Sequence, residues 1–449
     1  MSGPRIVLFT LGSFGDLHPT LAIARGLAGR GHHVEVGTSP YYREKVEAEG
    51  VRFRPVRPDI AIPPGEMPAL MRRLMDPARG SERVIREMIV APLRESWEDT
   101  RAIARGADLL VAHPITFAVP IVAETLGIPW VSTALAPMMF YSVHDPVVPP
   151  SAPWLEHMRG LGPGFHRALK RTVRHVTRPW VEPVERLRAE AGLPPGGHPL
   201  FEGQHSPRRV LALFSGVLGA PQPDWPPQVR VTGFPFFDHP GDDALPPALA
   251  AFLEAGSAPV VFTLGTSAVH DAGTFYREAA HAAARLGVRA VLLVGRETLN
   301  RLPDPLPAGV IAADYAPYAA LFPRAAAIVH QGGIGTTAEA LRSGRPMLVV
   351  PFSHDQFDNA ARAARLGVAR RVDRNRFTSE RVAAALGGLL ADGAVVARAR
   401  EVGERVRAET GVANACAAIE DVLADRGAAP GGPAPRAPAF SIDPARPVA

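Results

Sequence analysis

Residues 330–337, His-Gln-Gly-Gly-Ile-Gly-Thr-Thr, join an apolar strand (325–329) to a helix and have the composition of an anion cradle. A strand-to-helix junction gathers unused backbone N–H groups at the positive end of a helix dipole. Gly332, Gly333 and Gly335 let that backbone approach a ligand closely, and Thr336 and Thr337 add hydroxyls in the first turn. Glu339 follows one turn later, and a second apolar strand (347–350) leads to Pro351 and the pair Asp355-Gln356. A cradle, a carboxylate and a polar pair at these spacings suit a phosphate, a ribose and a sugar. The bland alternative, a tight strand–helix turn, explains the glycines but not Glu339 or Asp355-Gln356.

The N-terminal half holds a second candidate loop, LGSFGDLHP (11–19), after the strand RIVLFTL (5–11). Asp16 there either does chemistry or caps a helix starting near His18. His113 ends another strand, and structural and ligand-contacting roles fit it equally. Met138, Met139, Phe140, Tyr141 and Trp154 form a soft apolar region, read either as core or as the wall of a pocket for an apolar ligand. Arg167, Lys170, Arg171, Arg174, His175 and Arg178 crowd one helical stretch. A solvated helix face is the simpler reading, and docking to an anionic membrane is the alternative.

These loops need two scaffolds. A chain of 449 residues, 47% apolar, is too long for one ordinary core. In the first half, strands at 5–11, 33–37, 51–56, 108–112, 130–135, 210–214 and 229–234 alternate with helical stretches, among them 17–30 and 117–126. The second half repeats the alternation with strands at 259–265, 289–295, 309–313, 325–330 and 346–351, and a last helix over 412–426. This order predicts an α/β protein with two parallel sheets whose strand ends face a shared cleft. The Pro-, Gly- and Asp-dense stretch at 221–245 reads as the linker, and 427–449 as a disordered tail. The formal charge of +5 is too mild for a nucleic-acid partner. One cysteine, Cys416, precludes an internal disulfide and suits a cytoplasmic setting. The first apolar run is strand-sized, and no stretch has the roughly 20 apolar residues of a membrane span.

The order Tyr315-Ala316-Pro317, then 330–337, Glu339, Gly344, Pro346, Pro351 and Asp355-Gln356 resembles the family 1, UDP-glycosyltransferase-like enzymes of the GT-B fold. The resemblance spans nearly the whole chain and is closest to the bacterial and sterol-type branch. It implies two Rossmann-like domains facing each other across a cleft. Residues 1–220 would bind the acceptor and 246–426 the nucleotide sugar. Tyr315 would stack on the base, Gly333, Gly335 and Thr336 would cradle the diphosphate, Glu339 would hold the ribose, and Asp355 and Gln356 would hold the sugar. Thr266 and Ser267, after the strand at 259–265, would add donors near the phosphates, unless they merely cap the next helix; Tyr315 could also be a core aromatic. Relatives place a phosphate-binding His where this chain has Gln331, with His330 one residue earlier, so either residue could meet the phosphate. Asp16 stands where many relatives have a basic His, and His18 where they have Asn. The resemblance therefore implies Asp16 as general base, with His18 as runner-up. The reaction would be inverting transfer of a hexose or deoxyhexose from a UDP- or dTDP-sugar to a hydroxyl on an apolar small molecule. Lacking an Asp-x-Asp pair, the chain is expected to need no metal and no other cofactor. Peripheral contact with the inner membrane face would follow if the acceptor were a lipid. A sugar-nucleotide epimerase and a non-catalytic nucleotide-sugar binder are the rivals on the same architecture.

Overall fold

A computed structural model describes residues 3–60, 62, 65–238, 244–296 and 300–425. The expected disordered tail, 427–449, lies outside the described residues, as does 239–243 of the expected linker.

The first sheet contains β1 (Arg5–Phe9), β2 (His33–Thr38), β3 (Arg52–Pro55), β4 (Leu109–Ala112), β5 (Trp130–Ala134), β6 (Val210–Ala212) and β7 (Val229–Val231), in the order β3-β2-β1-β4-β5-β6-β7. The second contains β8 (Val260–Thr263), β9 (Ala290–Leu293), β10 (Val310–Ala313), β11 (Ala327–His330), β12 (Met347–Val349) and β13 (Ala369–Arg371), in the order β10-β9-β8-β11-β12-β13. Every pairing is parallel. Helices cover both faces, which is why strands such as VVFT and AIVH are apolar throughout rather than alternating. In each sheet the strand order reverses once, at β1/β4 and at β8/β11. Loops diverge at such a point and leave a crevice beyond the strands' C-terminal ends. The two candidate loops leave β1 and β11. The architecture is the two-domain GT-B arrangement that the resemblance implied.

Five helices matter for the site: α1 (Phe14–Ala28), α2 (Gly162–Glu190), α3 (Ile334–Ser343), α4 (Gln356–Arg365) and α5 (Gly411–Ala424). Helix α1 begins three residues before the expected Leu17, because Ser13 is its N-cap. Asp16 is the N3 member of the same capping box and not the cap itself.

Two segments join the first sheet or its core from outside the expected bounds 1–220, one of them the expected strand at 229–234. β7 lies within the expected linker and pairs with β6, while Trp225 and Phe234 nearby are buried. Helix α5, expected in the second domain, packs on α1 of the first. Ala415, Cys416, Ile419 and Val422 join the cluster of Ile6, Leu21 and Leu27. The two helices can cross closely because residue 26 is glycine: a methyl there would lie 2.8 Å from Cys416 Sγ. Glu420 then pairs with Arg30 at 2.6 Å. The apolar stripe of α5 thus covers a face that the first domain's own helices leave open.

The domains also grip each other directly. Buried Arg362 of α4 lies between Asp358, at 2.6 Å, and Asp145 of the first domain. Asp358 also accepts the Val148 N–H at 3.0 Å. A strap made of Met67–Leu74 and Gly80–Arg83 reaches from the first domain to the second. Its Met75, 3% exposed, enters the second domain's core beside Phe262 and Phe352.

Removing the α5 anchor should destabilise the first domain. Ile419→Ala is expected to lower stability by about 2–4 kcal/mol, measured by denaturant titration. An unchanged midpoint would show that α5 adds nothing to that core.

Candidate active site

The mouth of α3 is built as the sequence suggests. Gly332 has φ +90°, and a methyl there would lie 2.8 Å from Val349 Cγ1 and 3.0 Å from the Gln356 carbonyl. Only glycine lets β11 turn into the helix against β12 and the 351–356 loop. Gly333 is the N-cap and offers no side chain to satisfy the helix. The Ile334 N–H donates to Asp355 Oδ2 at 3.0 Å. The N–H groups of Gly335 and Thr336 remain for a ligand.

Gln331 is wedged between the turn after β8 and this mouth. Methyls on Gly265 and Gly333 would lie 2.4 and 3.0 Å from its Nε2, which itself sits 3.3 Å from Thr336 Oγ1. The residue is 7% exposed, yet Oε1 is buried without a partner, as is Thr337 Oγ1 nearby. Unsatisfied buried polar atoms cost free energy, so each leaves bonding capacity open at its place. His330 behaves differently. It is fully buried, its Nδ1 accepts the Gly332 N–H at 3.1 Å, and its Nε2 faces Met347 Sδ at 3.3 Å. Burial pushes it down to about 3, so the ring is neutral. Of the two phosphate candidates, Gln331 lines the mouth, whereas His330 points into the core because it ends a strand whose other side chains are core residues.

Three other second-domain candidates converge on the mouth. Tyr315 is 52% exposed, with the Arg296 guanidinium 5.1 Å from its ring, so it is no core aromatic. Thr266 is exposed at the lip, and neither it nor Ser267 makes the capping bond of the following turn. Glu339 accepts from Arg342 at 2.8 Å, and Arg342 in turn holds Asp238 of the linker. Burial pushes the Glu339 carboxyl up to about 7, against the opposing pull of Arg342. Tyr318, which sequence reasoning missed, is half-buried beside the mouth with its hydroxyl 2.8 Å from Thr263 Oγ1 and hydrogen-bonded to Thr336. Its place three residues after Tyr315 was the only available signal.

The Asp355-Gln356 pair is partly committed to the scaffold. Gln356 Oε1 accepts the Phe352 and Ser353 N–H groups at 2.8 and 3.1 Å and so shapes its own loop. Asp355 Oδ2 also accepts from Asn359 at 2.7 Å. Burial pushes Asp355 up to about 7, and the charge of Asp16 across the cleft adds to the shift. The strap holds this loop from the first domain: Ser353 Oγ donates to the Asp76 carbonyl at 3.2 Å, and His354 Nδ1 lies 3.1 Å from Ser81 Oγ.

Asp16 faces the same mouth. A methyl on Gly335 would lie 3.8 Å from Gly15 Cα, so the two candidate loops touch across the domain boundary. Asp16 Oδ1 lies 3.2 Å from His113 Nε2, because β1 and β4 are neighbours and their ends converge. Asp16 Oδ2 accepts from the Ser13 N–H at 2.7 Å and the Ser13 hydroxyl at 3.1 Å. His18 is turned elsewhere, its ring stacked on Phe237 at 4.9 Å, so it does not share this constellation. Among the expected acceptor-pocket residues, Met138 and Tyr141 are half-buried. Phe140 is 4% exposed and stacked on Trp225 at 4.1 Å, so it belongs to the core and not to a pocket wall. The tight turn at Pro137–Phe140 aims its ring inward.

Two family models match this chain: the glycosyltransferase family 28 N-terminal domain over residues 6–144, and the erythromycin biosynthesis protein CIII-like C-terminal domain over residues 278–420. The O-mycaminosyltylonolide 6-deoxyallosyltransferase of Streptomyces fradiae is 37% identical, with 93% of this chain and 97% of that protein aligned. A sterol 3-beta-glucosyltransferase of Debaryomyces hansenii is 27% identical over 92% of this chain, which spans only 26% of that longer protein. In fold, the chain resembles glycosyltransferase VinC, solved in complex with dTDP, at a TM-score of 0.66 and 23% identity, covering 94% of this chain and 99% of that one.

The two raised carboxyls give a pH prediction. In the unfolded chain Asp355 and Glu339 ionise near about pH 4, whereas in the fold each ionises at about 7. Between these values the folded protein holds the extra protons, so stability falls as pH rises towards 7. Asp355→Asn should flatten the fall in Tm between pH 4.5 and 8, and an unchanged slope would count against a buried carboxyl there.

Proposed function

This chain belongs to the GT-B glycosyltransferases with a family 28-type N-terminal domain and an erythromycin CIII-like C-terminal domain, and on that basis we propose that it transfers a 6-deoxyhexose from a dTDP-sugar to a hydroxyl of a polyketide- or sterol-like acceptor. The deoxysugar and the polyketide class are favoured by the relative that aligns along almost its whole length and is named a 6-deoxyallosyltransferase. Thymidine diphosphate is favoured over uridine diphosphate by its presence in the related VinC structure.

One observation carries the mechanism: the Asp16 loop lies against the mouth of α3, with Gly15 and Gly335 in near contact. Asp16 removes the proton from the acceptor hydroxyl. That oxygen forms a bond to C1 of the sugar while the C1–O bond to the diphosphate breaks, and its electron pair leaves with the diphosphate. Attack from the face opposite the leaving group inverts the anomeric centre. The leaving group's charge is met by the Gly335 and Thr336 N–H groups, the helix dipole and the Gln331 amide, all neutral donors. Tyr315 takes the base, Glu339 the ribose, and Asp355 with Gln356 the sugar hydroxyls. No metal takes part, and full activity in excess chelator is the corresponding expectation. Calorimetry should detect dTDP binding to wild type and, equally, to Asp16→Asn. The same variant should lose about 10²–10⁴-fold in kcat, followed by mass-detected transfer. Near-wild-type turnover would remove Asp16 from the role, and turnover of donor without acceptor would point to an epimerase.

For the basic stretch on α2 the simpler reading is a solvated face, and docking to an anionic membrane is the alternative that its apolar neighbours favour. Trp154, Leu161, Phe165, Val173 and Val176 are exposed on it or just before it, beside exposed Arg167, Arg171 and Arg178. An apolar strip next to arginines, of which Arg178 pairs with Glu185 at 3.3 Å, would suit the surface of an anionic membrane, met by a cytoplasmic enzyme whose acceptor partitions into lipid. Co-sedimentation should rise with the phosphatidylglycerol content of vesicles and fall in Val176→Asp. Sedimentation indifferent to lipid charge would dismiss the membrane.

A further inference from the structure

We propose that Ser13 and His113 are positioning residues of Asp16, which together leave its carboxylate a single lone pair open to the acceptor hydroxyl. The inference rests on Asp16 being the base and goes beyond it, because it states what fixes the direction in which that base can act.

A carboxylate has about four lone-pair sites on two oxygens. Oδ2 takes two donors from one residue, the Ser13 N–H at 2.7 Å and the Ser13 hydroxyl at 3.1 Å. Space for this arrangement exists only because residue 12 is glycine. With φ at +126°, a methyl on it would lie 2.3 Å from Asp16 Oδ2. The carbonyl of that same glycine is held by the Tyr42 hydroxyl at 2.8 Å. Oδ2 is therefore closed off and fixed. On Oδ1 one site is taken by His113 Nε2 at 3.2 Å. The His113 ring is itself set: Nδ1 faces the Ile115 N–H at 3.5 Å, so it accepts and the proton sits on Nε2, directed at Asp16. The His113 main chain is tied to β1 through its N–H to the Phe9 carbonyl at 3.0 Å, and its own carbonyl accepts the Thr116 hydroxyl at 2.6 Å. What remains on the carboxylate is the second site of Oδ1. The Asp16 side chain is 28% exposed, and Gly335 stands opposite the adjacent Gly15. The acceptor's proton passes to Oδ1, its oxygen bonds to C1, and the diphosphate departs with the electron pair.

The capping box of α1 thus has a second use. Ser13 Oγ accepts from the Gly15 N–H at 3.1 Å, which caps the helix, while its hydroxyl hydrogen serves Asp16. The two uses can be separated by mutation. Aspartate caps helices as well as serine, but it donates no hydrogen bond and sets a second negative charge beside Asp16.

The experiment compares Ser13→Asp, Ser13→Thr, His113→Gln and His113→Ala with Asp16→Asn, recording Tm, dTDP affinity, acceptor KM and the pH profile of kcat. Ser13→Asp should keep its Tm and its dTDP affinity, lose at least about tenfold in kcat, and move the acid limb of its profile to higher pH. Ser13→Thr, which keeps the hydroxyl, should remain close to wild type. His113→Ala should fall as Ser13→Asp does, and His113→Gln, which can still donate, should recover part of the loss. If Asp16→Asn is inactive while Ser13→Asp and His113→Ala both keep the wild-type kcat and acid limb, the positioning role is overturned and the base assignment survives. If Asp16→Asn turns over normally, the base assignment falls and takes this inference with it.

Discussion

The near contact between Gly15 and Gly335 is the constraint on which the rest of the site depends. It brings a loop ending β1 of one domain to within one side chain of a helix mouth ending β11 of the other: a methyl on Gly335 would rest on Gly15 Cα at 3.8 Å. The distance matters because the reaction joins two events: a proton leaves the acceptor on one side while negative charge builds on the diphosphate on the other. Fixed donors and a fixed carboxylate lower the barrier only when their positions are set beforehand. Placing both loops where the strand order reverses is the solution that two facing parallel sheets make available.

The helix mouth offers an anion backbone N–H groups and an amide rather than a side-chain cation. His330, which could have supplied charge, is buried and neutral, and the position that lines the mouth is Gln331. Backbone N–H groups and an amide need no protonation, so their contribution does not vanish as pH rises. The same low-dielectric surroundings that strengthen these neutral donors raise Asp355 and Glu339. The strengthening of these neutral donors and the raised carboxyls therefore have one cause.

Closure of the two domains is secured by contacts of different kinds. Arg362 between Asp358 and Asp145 is a buried ion group whose loss would strand charge in the interface. Met75 adds an apolar anchor, and the strap that carries it also holds the loop of Asp355 and Gln356. The loop of Asp355 and Gln356 in the second domain is thus positioned partly by the first domain, which couples the two sides of the cleft mechanically. Helix α5 does the reverse, closing the core of the first domain with the last described helix of the chain.

Much of this was legible in the residues themselves. Runs such as VVFT, AIVH and RIVLF are strand-length and apolar throughout, which only sheets covered on both faces require. The glycines, Thr336, Glu339 and Asp355 keep fixed spacings along one strand–helix–strand unit, so local geometry alone places them together. What could not be read was every relation between distant segments. His113 meets Asp16 only because β1 and β4 pair; Phe140 is core only because Trp225 stacks on it; His330 faces inward only because β12 puts Met347 beside it; and α5 changes domain only because Gly26 leaves room for Cys416. Periodicity and spacing determine what a segment becomes and which of its own residues share a face. Which partner that face meets is decided by packing between segments far apart in sequence, and the tertiary structure alone supplies it.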